Sequence, residues 1–273
     1  MNFRIICAVC LLILLGMGLA IGFFLFINAG ERNWIVFLFA TPVRLGLEGG
    51  IGTVLANTFI VVGLAILLSI AMSTASVALV LFCELSACKL VIILAEILRG
   101  FLAVGASTPR LLTGFGAAAV FGGWFGLGLS ALCGILSLAC ILSPIMANGF
   151  LDALDQQKER ILITCHTLGL KPFHAWSRYV APAASTGIFT TLIQSVGRGM
   201  GDAAALYLTC GTSLVLLDSL NRPAATLAVY AYSLALDVAG GTENAFAAGF
   251  VLFALTAVIQ APLLYLQILK ENQ

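Results

Sequence analysis

Residues 51–82 read IGTVLANTFIVVGLAILLSIAMSTASVALVLF, 32 positions without a single Asp, Glu, Lys or Arg. A hydrocarbon core is crossed by about 20 helical residues, so this run can span a bilayer and still tilt or extend past the interface. In lipid every backbone N–H and C=O has to be satisfied internally. A membrane barrel does so with strands that alternate apolar and polar over about 10 residues, and nothing here alternates. The run reads as a transmembrane helix.

Comparable runs lie on either side. Residues 5–27 follow Arg4. They exceed the apolar region of a secretory signal and show no A-x-A-like cleavage site, which predicts a retained anchor. Residues 90–121 are interrupted by Glu96, Arg99, Pro109 and Arg110, and read as an amphipathic approach helix followed by a span after Gly100. Further spans are expected over 125–146, 183–208 and 245–268. The fold class is all-α: a polytopic membrane protein with six transmembrane helices. Residues 1–50 form an anchor helix and extracytoplasmic loop, and residues 51–273 form the transmembrane core.

Composition agrees. Of 273 residues 61% are hydrophobic and 9% charged, with a mean hydropathy of +1.11. A soluble domain carries about 25% charged residues and a disordered chain needs low hydrophobicity; both are excluded. A net charge of +1 gives no basic patch for nucleic acid. The eight cysteines fall mostly in or beside apolar runs and lack the paired spacing of a zinc site, so they read as small packing residues and no metal site is expected.

The cations set the orientation. With the N-terminus in the cytoplasm, Arg4, Lys89, Lys158, Arg160, Lys171, Arg178 and Lys270 fall inside, against Arg32, Arg44 and Arg222 outside. Both termini are therefore expected in the cytoplasm of a multi-pass membrane protein. Arg99, Arg110 and Arg198 remain within or near the bilayer, and Arg99 is expected to pair with Glu96.

The longest polar stretch, 148–180, holds both histidines, His166 and His174. Apolar positions recur at helical spacing over 152–168. Gly169 suits a left-handed cap and Pro172 the first turn of a second helix. The stretch reads as helix, turn, helix on the cytoplasmic face, either a docking knob or a connector. Further on, Arg198 falls near the middle of the fifth span, where an Arg costs about 2.5–3.5 kcal/mol on insertion scales and marks an ion path or a wet cavity. Asp202, four residues on, is expected on the same helical face. Gly197 and Gly201 form a G-x-x-x-G pair suited to close helix packing, within the chain or between two chains.

Four blocks carry a family resemblance. Leu168-Gly169, followed by Ala181-Pro182-Ala183-Ala184, resembles the "EAA" loop of ABC-importer permeases. Residues Gly197-Arg198-Gly199-Met200-Gly201-Asp202 resemble the G-R-x-x-G-E segment of phosphate-importer permeases. Residues 223–230 and 107–114 are similar to that family's P-x-x-x-L-P-V-x and G-V-P-S-I-V-x-G segments. The blocks keep the family's order over about 100–270, and the likeness is to the PstA type, with the MetI-like permease fold. Three positions depart from it. Ile163, followed by Thr164, occupies the place of the EAA acid, Asn148 replaces an Arg, and Asp202 is shorter than the usual Glu.

The resemblance implies a transporter subunit, not an enzyme, forming half of a pathway for inorganic phosphate. Arg198, Asp202, Arg110 and Asn148 would line the substrate pathway, with Arg110 substituting for the cation missing at Asn148. Ile163, Thr164, Leu168, Gly169 and Pro182 would meet an ATPase subunit, and Gly197 and Gly201 would pack helices. The implied partners are a homologous (PstC-like) permease, two (PstB-like) ATP-binding subunits, an extracytoplasmic (PstS-like) phosphate-binding protein, and membrane lipid. No G-x-x-x-x-G-K-[ST] occurs, so ATP and Mg belong to the ATPase and no cofactor is expected on this chain. Another oxyanion (molybdate, sulfate), an ATP-independent secondary anion transporter and a non-transporting scaffold remain open at this point.

Overall fold

The computed structural model describes residues 16–30, 32–84, 88–167 and 176–271, with side chains left undescribed over 159–177 and from 264 onward. Helix α1 covers Gly16–Asn28. A short helix α2 (Trp34–Phe39) leads into a ribbon of β1 (Pro42–Val43) and β2 (Glu48–Gly49), paired antiparallel. Gly46 makes the turn at φ +89°, a conformation glycine enters freely, with the Tyr230 ring against it. Tyr230 Oη and Asn244 Nδ2 both donate to the Gly46 carbonyl, at 3.1 and 2.8 Å, and tie the ribbon to the body.

The body consists of α3 (Gly52–Glu84), α4 (Lys89–Ser107), α5 (Arg110–Ala117) with a π-helical extension (Ala118–Trp124), α6 (Ala131–Thr167), α7 (Ser185–Met200), α8 (Ala204–Thr209), α9 (Leu227–Leu236) and α10 (Thr242–Glu271). Among the described residues α3, α4, α10 and the Ala131–Lys158 part of α6 are long and apolar enough to cross a membrane. Helix α6 is the axis: 61% of its most apolar window is buried, against 11% for α4 and 17% for α10. Leu138, Leu142 and Met146 of α6 are almost fully enclosed, whereas Leu90, Ile97 and Phe101 of α4 are exposed. Apolar residues around a helix with few protein neighbours suit lipid as the surrounding medium.

Three expected spans have different bounds. The third does not break at Gly100: α4 runs through it to Ser107. The break comes at Thr108 and Pro109, both extended with ψ near +130°, because a residue before proline is pushed out of the helical region. The fourth begins at Ala131 rather than 125. Gly126 and Gly128 take positive φ, Ser130 Oγ accepts from Cys133 N at 3.2 Å, and the free amides of Ala131 and Leu132 donate to the carbonyls of Arg222 and Leu220, so the start is fully capped. Helix α6 then continues past 146 to Thr167 as one 37-residue helix. The first helix expected in the 148–180 stretch is thus the end of a span. Its turn, with Leu168, Gly169 and Pro172, lies outside the described residues.

The fifth span is not one helix over 183–208. Helix α7 stops at Met200 and α8 begins at Ala204. Three glycines in Gly197-Arg198-Gly199-Met200-Gly201 weaken helix propagation. Asp202 then caps the start of α8, its Oδ1 accepting from Ala205 N at 3.3 Å. The irregular segment between α8 and α9 is held against α3. Asn57 donates to Val215 O and accepts from Leu217 N, each at 2.9 Å, and Thr58 Oγ1 accepts from Leu227 N at 2.7 Å. These bonds fix the non-helical backbone to the body although most of its side chains from 212 to 223 are exposed.

Candidate functional site

Helices α6 and α7 lie side by side, and small residues set their spacing. A Cβ on Gly149 would come 2.5 Å from the Thr191 side chain, and one on Gly187 would come 2.6 Å from Ala153. Beside this seam a cavity of about 250 Å³ opens, lined by Ile145, Asn148, Gly149 and Asp152 of α6, Thr191, Gln194, Ser195 and Arg198 of α7, and Ala106 of α4. Each wall is a set at i, i+3, i+4 and i+7, the spacing of one helical face. Three of the four residues on the α7 wall are polar and uncharged, and the fourth is Arg198.

Arg198 stands in the last turn of α7, where carbonyls without helical partners favour a cation. It is exposed and, among the described residues, makes no ion pair or hydrogen bond. The expected pairing with Asp202 is not formed. One-turn spacing needs an unbroken helix, and α7 ends between the two residues. Asp202 is 3% exposed, and its Oδ2 faces Arg110 Nη1 at 3.4 Å. This contact arises from the approach of α5 to α8, where Gly114 meets Ala205 so closely that a Cβ would lie 2.8 Å from the Ala205 Cα. Arg110, one turn before Gly114, is carried to Asp202. Its charge is thereby engaged, which argues against its replacing the missing cation at Asn148. Asn148 itself lines the cavity and donates from Nδ2 to Leu102 O at 3.0 Å, bridging α6 to α4.

The G-x-x-x-G pair divides. A Cβ on Gly197 would lie 2.4 Å from Gln260 Nε2, so this glycine admits α10 within the chain. Gly201 packs no other helix: a Cβ there would meet only the carbonyls of Gly197 and Arg198. Gly199, which sequence reasoning missed, does the packing instead, with Leu142 of α6 and Val62 of α3 3.2 and 3.4 Å from a Cβ built on it. Ile163 and Thr164 lie in the helical backbone of α6, and Pro182 sits exposed in the turn Ala181–Ala183. Leu168 and Gly169 lie outside the described residues.

Sequence reasoning also missed Asp152, Thr191, Gln194 and Ser195. The signal was present, since 191, 194, 195 and 198 make a polar stripe in an apolar helix. A second polar cluster differs from expectation. Arg99 does not pair with Glu96. Its Nε donates to Glu84 Oε1 at 2.7 Å, and its Nη1 and Nη2 donate to the two oxygens of Asp155 at 2.7 and 3.4 Å. Lys158 Nζ closes the set on Glu84 Oε2 at 2.8 Å.

No family model matches the chain. A probable ABC transporter permease protein, YqgI, of Bacillus subtilis is 24% identical over 224 residues, 77% of this chain and 74% of that protein. The phosphate transport system permease protein PstA of Yersinia pestis is 23% identical over 61% of this chain and 56% of its own length. The PstA homologue of Mycoplasma pneumoniae is 25% identical over 38% of this chain, which spans 16% of that longer protein. Among solved structures, a crystal structure of an amino acid ABC transporter with histidines matches with a TM-score of 0.59 and 15% identity, over 81% of this chain and 92% of that one, which shows the fold. The relatives and the shared fold agree in kind: the chain is similar to multi-pass membrane permease subunits of the ABC type, PstA among them.

Proposed function

We propose that the chain forms half of the translocation pathway for inorganic phosphate in an ABC importer, in the inner membrane with both termini in the cytoplasm. The observation that carries this reading is Arg198, a cation without a counter-ion among the described residues, on the wall of a polar cavity between α6 and α7. A guanidinium in such a place is costly until an anion arrives, and its planar fork donates two parallel hydrogen bonds to an oxyanion. Asp152 on the facing wall accepts a hydrogen bond from an O–H group, which hydrogen phosphate has and sulfate and molybdate lack at neutral pH. The relatives named as phosphate transport system permeases support the same choice.

In this reading a homologous PstC-like permease completes the pore and a PstS-like binding protein delivers the anion. Two PstB-like subunits bind ATP and Mg. The end of α6 and the stretch through 180 receive their motion, with Ile163, Thr164, Leu168, Gly169 and Pro182 at the contact. Gly169→Asp then uncouples ATP hydrolysis from uptake while leaving insertion intact.

The test is uptake of labelled phosphate by proteoliposomes holding the chain with its co-purifying partners. ATP-dependent uptake that excess sulfate does not inhibit is expected, and Arg198→Ala lowers it about 100-fold. Uptake driven by a proton or sodium gradient without ATP, or uptake of sulfate or molybdate in preference to phosphate, contradicts the proposal.

A further inference from the structure

Four charges that the transport pathway does not use lie together where α3, α4 and α6 meet. Glu84 is the last residue of α3, Arg99 lies ten residues into α4, and Asp155 and Lys158 share one turn of α6. Their side chains are between 17% and 36% exposed. Every charge is matched: Arg99 bridges both carboxylates, and Lys158 takes the second oxygen of Glu84. On stability grounds such a cluster is an odd choice. Removing charges from water costs more than their attraction returns unless the geometry is excellent, and a well-packed apolar set is often as stable or more so. What the cluster supplies is direction, since a guanidinium held on two sides admits one arrangement of its partners.

Its position gives that direction a use. Asp155 comes one helical turn after Asp152, which lines the Arg198 cavity. Lys158 immediately precedes the stretch proposed to meet the ATPase. The cluster thus lies on α6 between the force-receiving end and the cavity, and it fastens α6 there to two other spans. Nearer the middle of α6, Asn148 on the cavity wall makes the next polar link to α4, at Leu102 O.

We infer that Glu84, Arg99, Asp155 and Lys158 form a positioning joint that makes the end of α3, the middle of α4 and the Asp155–Lys158 turn of α6 move as one body, so that displacement of the cytoplasmic end of α6 reaches the Arg198 cavity. The inference rests on the permease reading above. None of the four residues touches the anion; they act through α6.

The experiment compares phosphate taken up per ATP hydrolysed, in proteoliposomes of the whole importer complex, for the wild type and three variants. Arg99→Gln leaves the complex assembled and its ATP hydrolysis near the wild-type rate, but lowers phosphate per ATP at least about 5-fold, the lower end of ordinary coupling between sites. Arg99→Lys, which keeps the charge but loses the fork, regains part of the ratio. Arg99→Gln combined with Asp155→Asn removes the orphaned carboxylate and recovers the thermal midpoint lost in Arg99→Gln, yet its ratio stays low. That separation marks positioning rather than stability. A ratio that returns with the thermal midpoint, or one unchanged in Arg99→Gln, overturns the joint and leaves the permease reading standing. Absence of ATP-dependent uptake in the wild type overturns both.

Discussion

Two arginines of this chain sit among apolar helices, and they are treated in opposite ways. Arg99 is enclosed by Glu84 and Asp155, with Lys158 completing a neutral set. Arg198 lines a cavity with no partner among the described residues. A matched arginine in a membrane is fixed geometry; an unmatched one is an unmet demand for an anion. Arg110 falls between them, half-exposed and set against the buried Asp202 at 3.4 Å without a well-formed hydrogen bond. Charge alone does not single out Arg198; what does is a place on a cavity wall without a counter-ion among the described residues.

The contrast breaks first at Arg198. Replacing it with Ala removes a charged, forked donor worth about 3 kcal/mol, so phosphate uptake falls about 100-fold, while the thermal midpoint of the detergent-solubilised complex stays near that of the wild type. Gly149→Val comes next. Its side chain meets Thr191 at the seam, and the overpacking costs about 1–3 kcal/mol, visible as a lower thermal midpoint with reduced uptake. Arg99→Gln shows the reverse pattern to Arg198→Ala in stability. It strands Asp155 and weakens the hold on Glu84, and with partial exposure the loss is about 2 kcal/mol, below the range for a fully buried pair. The smallest effect is at Arg110. Arg110→Ala removes a half-exposed pair that lacks a hydrogen bond and costs about 1 kcal/mol, the double variant with Asp202→Asn recovers most of it, and uptake changes less than about 10-fold in either. A loss of uptake in Arg110→Ala as deep as in Arg198→Ala would return Arg110 to the pathway.

The membrane class and the helical architecture were legible in the sequence because lipid leaves a backbone few solutions. The 51–82 run needed no tertiary information. Bounds were harder to read where polar contacts end a helix. The 125–146 span starts late because Ser130 and the carbonyls of Leu220 and Arg222 cap it, and distant carbonyls are invisible in a hydropathy pattern. Arg198 stood out as a cation without a low-cost location. The Arg198–Asp202 pairing failed because one-turn spacing assumes the helix continues, and the glycines around Arg198 already argued that it does not. The Arg99 cluster was beyond local reading: Glu84 and Asp155 lie 15 and 56 positions away along the chain, whereas Glu96 was the neighbour in sequence. The polar stripe of Thr191, Gln194, Ser195 and Arg198 was there to be counted.

The central claim, that Arg198 meets the anion through its charge, is tested most directly by removing that charge and restoring it chemically. In the assembled importer Arg198→Cys loses phosphate uptake. Modification with a methanethiosulfonate carrying an ethylammonium group recovers part of it, whereas the sulfonate-bearing analogue does not, both reagents being applied in a background whose exposed Cys88 and Cys140 are replaced by Ser. Uptake that survives in Arg198→Cys, or that is restored equally by the cationic and anionic reagents, would contradict the account.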